Sequence, residues 1–77
     1  MSELLAFIRP GAGPCYLGRY YFNKPGEDFE AFGTVDLAKD WAEGLAVVDD
    51  FDLDSFVWTE VDNLGGETLF LTGRRAA

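Results

Sequence analysis

Apolar and polar residues alternate and break along the chain in a way that predicts strands around one helix. Leu4 to Arg9 reads as a first strand. At a period of two, Leu5, Phe7 and Arg9 share one side, and Leu4, Ala6 and Ile8 the other. Pro10-Gly11-Ala12-Gly13-Pro14 ends it as a loop, because proline cannot donate to a ladder and glycine allows positive φ. Cys15 to Asn23 is a second strand, with Tyr16, Gly18, Tyr20 and Phe22 alternating with Cys15, Leu17, Arg19 and Tyr21. Gly18 in its interior marks a bulge or a close backbone approach. Asn23-Lys24-Pro25-Gly26 has type II turn chemistry and leads into a short third strand, Phe29 to Gly33.

The cleanest pattern follows. Thr34 is a hydroxyl cap, and Asp36 sits in the first turn, where the helix dipole favours an anion. At about 100° per residue, Val35, Leu37, Ala38, Trp41, Ala42, Leu45 and Ala46 fill one half of the wheel. Asp36, Lys39, Asp40 and Glu43 fall on the other half. Trp41 is expected to anchor the core, and Gly44 to end the helix or weaken its last turn. Ala46-Val47-Val48 either finish the helix or open an extended connector. Phe56 to Val61 is the strongest strand signal, with Phe56, Trp58 and Glu60 on one face and Val57, Thr59 and Val61 on the other. Asp62 to Gly66 reads as a hairpin loop, Thr68 to Thr72 as the last strand, and Gly73 to Ala77 as a frayed basic tail.

The order β-β-β-α-β-β with short loops predicts an α+β fold. One small domain spanning residues 1–77 would hold an antiparallel sheet of four to five strands, with one helix packed on one face. The uncovered face then carries part of the aromatic set, either Tyr20 and Phe22 or Tyr21. Twelve aromatics are many for a 77-residue core, which points to an aromatic surface.

Charge changes this picture. The net charge is −8, and residues 27–67 hold thirteen of the fourteen carboxylates against Lys39, a net −12. The remainder sets Glu3 against Arg9, Arg19, Lys24, Arg74 and Arg75, a net +4. Such a field repels nucleic acid and steers the chain toward basic surfaces. The densest part is Asp49-Asp50-Phe51-Asp52-Leu53-Asp54. As an extended run it would point Asp50, Asp52 and Asp54 one way at about 6.6–6.8 Å intervals, and Phe51 and Leu53 the other. That interval is comparable with the phosphate spacing of a nucleic-acid strand, whose axial rise is roughly 3.4 Å per nucleotide. The plainer account is a solvated connector whose acids discourage edge pairing.

Candidate chemistry is sparse. Histidine is absent, which removes the commonest general base and metal ligand. Cys15 is alone and is read as a small buried hydrophobe. Asp50, Asp52 and Asp54 have the spacing that opens an EF-hand loop. However, Ser55 stands where that loop needs Gly, and Val61 where it needs Glu. No metal or cofactor is expected, and no enzymatic activity. No signal sequence or membrane span is read, so the expected location is the cytoplasm.

These features together resemble the small acidic anti-CRISPR proteins of phages and prophages. They are one compact domain, no histidine, no catalytic set, thirteen carboxylates against Lys39 in residues 27–67, and surplus aromatics. The resemblance is one of profile and carries no motif. It implies a non-enzymatic inhibitor that occludes a basic nucleic-acid-binding surface of a CRISPR effector or similar complex by nucleic-acid mimicry. The chain would bind neither nucleic acid itself nor membrane. The expected contacts are Asp49, Asp50, Asp52 and Asp54, followed by Asp36, Asp40, Glu43, Glu60 and Asp62. The alternative is a structural or adaptor module that works through its exposed aromatic sheet face as a homodimer.

Overall fold

The computed structural model describes residues 2–22, 29–63 and 66–76. Five strands, β1 (Glu3–Pro10), β2 (Tyr16–Tyr20), β3 (Glu30–Phe32), β4 (Val57–Asn63) and β5 (Gly66–Gly73), surround one helix, α1 (Val35–Val48), in chain order. The sheet runs β3-β2-β1-β5-β4, and every neighbouring pair is antiparallel. The first three strands form the expected meander. The helix then carries the chain from the β3 edge to the opposite edge, where β4 lies. The predicted turn at 23–26 lies outside the described residues.

The helix packs over β1, β2 and β3. The Thr34 Oγ1 accepts from the Leu37 N–H at 3.2 Å, the expected cap. Ala38, Ala42 and Ala46 are fully buried and repeat every four residues, so small side chains line the stripe facing the sheet. Trp41 is not the centre of this contact, as expected from the wheel, but its flank. Its ring is half-buried, 5.2 Å from the Phe32 ring, and so close over Gly18 that a Cβ there would stand 3.0 Å from Cζ3. Gly18 therefore marks a close approach. Leu37, placed on the apolar half, is exposed.

Gly44 does not end the helix. Chain reversal comes after Val48, where Asp50 takes the left-handed φ of +66°. The Asp50 N–H donates to the Val47 carbonyl at 3.1 Å, and the Phe51 N–H to Ala46 at 3.0 Å. That pair of bonds is a Schellman ending with Asp in the position usually held by Gly. Phe51, the residue after it, is buried against Ala46 in the core. Burial of Leu45, Ala46 and Phe51 outweighs the roughly 1 kcal/mol that Gly44 costs a helix.

Strict alternation also fails at one point in β1. Leu4 stands opposite Thr72 and Ala6 opposite Leu71, so Leu5 between them is the extra residue, and Leu5 and Ala6 are both fully buried. This bulge puts two successive side chains under the helix and leaves Leu4, Phe7 and Arg9 on the open face. Tyr20 also lies on the covered side, buried, while Tyr21 packs on the open one. The core is Leu5, Ala6, Tyr20, Ala42, Ala46, Phe51 and Leu71, continued by Ile8, Ala38 and Leu69, with Trp58 packed against both groups.

Candidate docking surfaces

The acidic connector is not an extended row of carboxylates. It turns at Asp50 and then winds one 3₁₀ turn, Leu53–Ser55. Asp52 Oδ1 accepts from the Asp54 N–H at 3.0 Å and so caps that turn. Asp49 ends the helix, half-buried, and its Oδ2 accepts from the Tyr20 hydroxyl at 2.7 Å. Burial first, and then the bond to Asp49 and its negative charge, push the Tyr20 phenol well above its ordinary range. Asp50 and Asp54 are exposed.

The basic tail is paired with this connector rather than frayed. The Asp52 N–H donates to the Arg74 carbonyl at 2.8 Å, and the Ala76 N–H to Asp50 at 2.7 Å. The Ser55 hydroxyl links the two segments again, accepting from the Arg74 N–H at 2.8 Å. Arg75 lies 4.4 Å over the Phe51 ring and donates from Nη1 to the Asp49 carbonyl at 3.2 Å. Its Nε stands 3.7 Å from Glu3, an exposed pair of little energetic weight. Sequence distance concealed this cation: the Arg75 guanidinium is 26 residues from the Asp49 carbonyl it meets.

A second acidic region lies on the helix side of the sheet. Asp36, Lys39, Asp40 and Glu43 share an arc of about 100° on the helix. The Trp58 Nε1–H donates to Glu43 at 2.7 Å, and the Lys39 ammonium lies 5.7 Å over the Trp58 ring. This arc is thus turned toward β4. On β4, Glu60 and Asp62 follow Trp58 at alternate positions and share its face. Asp62 stands directly opposite Glu67 of β5, a like-charge pair that costs the sheet stability. Glu67 was not among the expected contacts; its strand register places it on the same face as Asp62.

The register sorts the remaining charge. Glu30 stands opposite Gly18, which lies under Trp41, and Glu3 stands opposite Gly73, which lies against Phe56 and Leu5. Every described strand carboxylate is therefore on the helix side. The open face instead has Phe7 at its centre, with the Tyr21, Phe29 and Phe70 rings at 5.7, 5.6 and 6.3 Å. Arg9 lies 4.9 Å over Phe29, and Arg19 lies 5.8 Å over Tyr21. Polarity in this molecule runs through the sheet.

Among the described residues, no group of carboxylates and thiols converges as a metal site, and no buried side-chain polar atom lacks a hydrogen-bond partner. A cavity of about 290 Å³ opens beside the start of the helix, lined by Ile8, Pro10, Tyr16, Val35, Glu67 and Leu69. That is near the lower limit of small-molecule sites, and Glu67 is the one carboxylate among the described residues that line it. Cys15 is half-buried, its thiol donating to the Ala12 carbonyl at 2.9 Å. No helix among the described residues is long and apolar enough to cross a membrane. Comparison with protein-family models, curated proteins and solved structures returns no match.

Proposed function

We propose that the chain is a non-enzymatic, cytoplasmic protein-binding inhibitor that lays its carboxylate-bearing side on a basic, nucleic-acid-binding surface and excludes the nucleic acid. One observation carries this reading: all described strand carboxylates, and the helix arc of Asp36, Asp40 and Glu43, lie on the helix side of the sheet. Two like-charge juxtapositions sit within that layer, Asp62 with Glu67 and Asp36 with Asp40 one helical turn on. Both weaken the fold and are relieved by a cationic partner. Alternate carboxylates on β4 are about 6.6–6.8 Å apart, a spacing that suits lysines and arginines arranged for phosphates. The profile resemblance to anti-CRISPR proteins makes a CRISPR effector the first partner class to try.

The contact set differs from one centred on the connector. Asp36, Asp40, Glu60, Asp62 and Glu67 form the face, Asp50 and Asp54 extend it at one end, and Asp49, Asp52 and Glu43 hold the fold. The test is capture of nucleoprotein complexes by the full chain and by a variant carrying Asp36→Asn, Asp40→Asn, Glu60→Gln and Asp62→Asn. Capture should weaken steeply with salt, because exposed charges are screened beyond roughly 8 Å at physiological ionic strength. The neutralised variant should lose it while keeping its fold. Equal capture by both chains would remove the basis of the proposal.

A further inference from the structure

The open face of the sheet is the part of the molecule least like the whole. The chain carries −8, yet no described residue on this face has a carboxylate. Among the described residues its two charged groups, Arg9 and Arg19, lie over rings of the same face. Val57 and Val61 are 56% and 44% exposed there, and Tyr21 and Phe29 about as much, at 41% and 40%. Going beyond the acidic side and its partner, we propose that this face is a homodimer interface, covered by a second copy of the chain in a sheet-on-sheet pair.

Charge, shape and size choose that occupant. Two copies at −8 repel one another unless their acidic sides turn apart, and apposing the open faces is the arrangement that does so. The face also has two unlike halves. The β1 and β2 half is aromatic, with Phe7, Tyr21, Arg9 and Arg19, whereas the β4 half is the flat β-branched row Val57, Thr59 and Val61. A two-fold axis parallel to the central strands and between β1 and β5 sets β2 of each copy, with Tyr21 at its end, on the β-branched row of the other, and Phe7 on Phe70 of the other. It also carries the two arginine pairs to opposite sides of the interface, so they do not meet.

The size is adequate. Five strands about 4.8 Å apart, with central strands of eight residues rising about 3.3 Å each, give a footprint of roughly 500 Å². Side chains standing off that plane raise the accessible area toward the ~800 Å² per partner of a stable interface. Single-stranded nucleic acid suits the face less well. Guanidinium groups already lie over the Phe29 and Tyr21 rings on which bases would stack, and the net charge opposes it.

Sedimentation equilibrium of the full chain over a concentration series, at low and high salt, tests the proposal. The expected mass is twice the 8.5 kDa of one chain, and high salt should leave the dimer intact or tighten it. Val57→Lys and Val61→Lys change exposed side chains, so the folded circular dichroism spectrum should persist. Each sets an ammonium beside Arg9 and Arg19 of the other copy, twice by symmetry, and should raise the dimer dissociation constant by at least about 100-fold. Val48→Lys, exposed at the end of the helix, should not. A wild-type chain that stays monomeric throughout would overturn the proposal, as would a dimer untouched by both lysines. Binding of a labelled single-stranded oligonucleotide that Val57→Glu abolishes would overturn it in favour of a nucleic-acid platform.

Discussion

Removing the bond between Tyr20 and Asp49 should destabilise the domain asymmetrically, depending on which partner is removed. Tyr20 is 2% exposed and donates to Asp49 at 2.7 Å, whereas Asp49 is half-buried. A hydrogen bond to a charged group contributes about 1.5–3 kcal/mol net. Solvent reaches Asp49, so the lower end applies. Tyr20→Phe leaves a carboxylate with access to water and should cost about 1.5 kcal/mol. Asp49→Ala leaves a phenol hydroxyl stranded in the core and should cost about 2–3 kcal/mol. A domain of this size is worth roughly 4–11 kcal/mol in total, so both shifts are measurable in urea melts with an unchanged slope. The double-mutant cycle should give a coupling of about 1–1.5 kcal/mol.

The same pair makes an alkaline prediction. The folded chain holds the Tyr20 proton more tightly than the unfolded chain, whose phenol titrates near pH 10. Stability from this group is complete below about pH 10 and falls as pH rises above it, by up to about 1.4 kcal/mol per pH unit. Tyr20→Phe should lack that component, so the two stability curves converge at alkaline pH. A coupling below about 0.3 kcal/mol, together with parallel pH curves, would refute the reasoning. If it holds, Asp49 is an unsound probe of partner binding, because replacing it loosens the fold.

Two further perturbations bear on the connector. Asp50→Gly puts glycine at a φ of +66° and should raise the melting temperature by about 2–4 °C, since relief of Cβ strain is partly offset by a looser unfolded chain; a lower melting point would contradict the Schellman assignment. Ending the chain at Gly73 removes the partners of the Asp50 carbonyl and the Asp52 N–H and uncovers Phe51. It should cost about 2–3 kcal/mol and abolish hydrogen-exchange protection at Asp52, and a truncated chain within 0.5 kcal/mol of full stability would show the tail to be passive.

Local pattern was enough for the fold class, because each element's period is carried by its own residues. The α-helix shows it from Val35 to Ala46, and β4 from Phe56 to Val61. The departures arise where local preference meets packing. Leu4 to Ile8 is apolar without a break, so no polar residue reveals the slip at Leu5 and Ala6. Gly44 carries the local signature of a helix end, but Phe51 supplies the buried anchor that sets the end four residues later, after Val48. The acidic site was half legible. Glu60 and Asp62 sit on the helix side because Trp58 does, as β4 alternation implies, but Glu67 needed the β4-β5 register. The Arg75 contact was hidden because it joins the tail to the middle of the chain.

The strand order also has a consequence for how the protein comes into being. β5 is made after every other described element, yet it lies between β1 and β4 and pairs with both. Until it arrives, β1 has one free edge, β4 has no neighbour, and Leu5, Ala6 and Ile8 lack the Leu69 and Leu71 side chains that close the core. The nascent chain therefore has no stable half-built state to rest in. It must close in one late step dominated by distant pairings, which is slow for its size. During synthesis the exposed apolar edge of β1 is the place where a chaperone would bind, or where two unfinished chains would stick together.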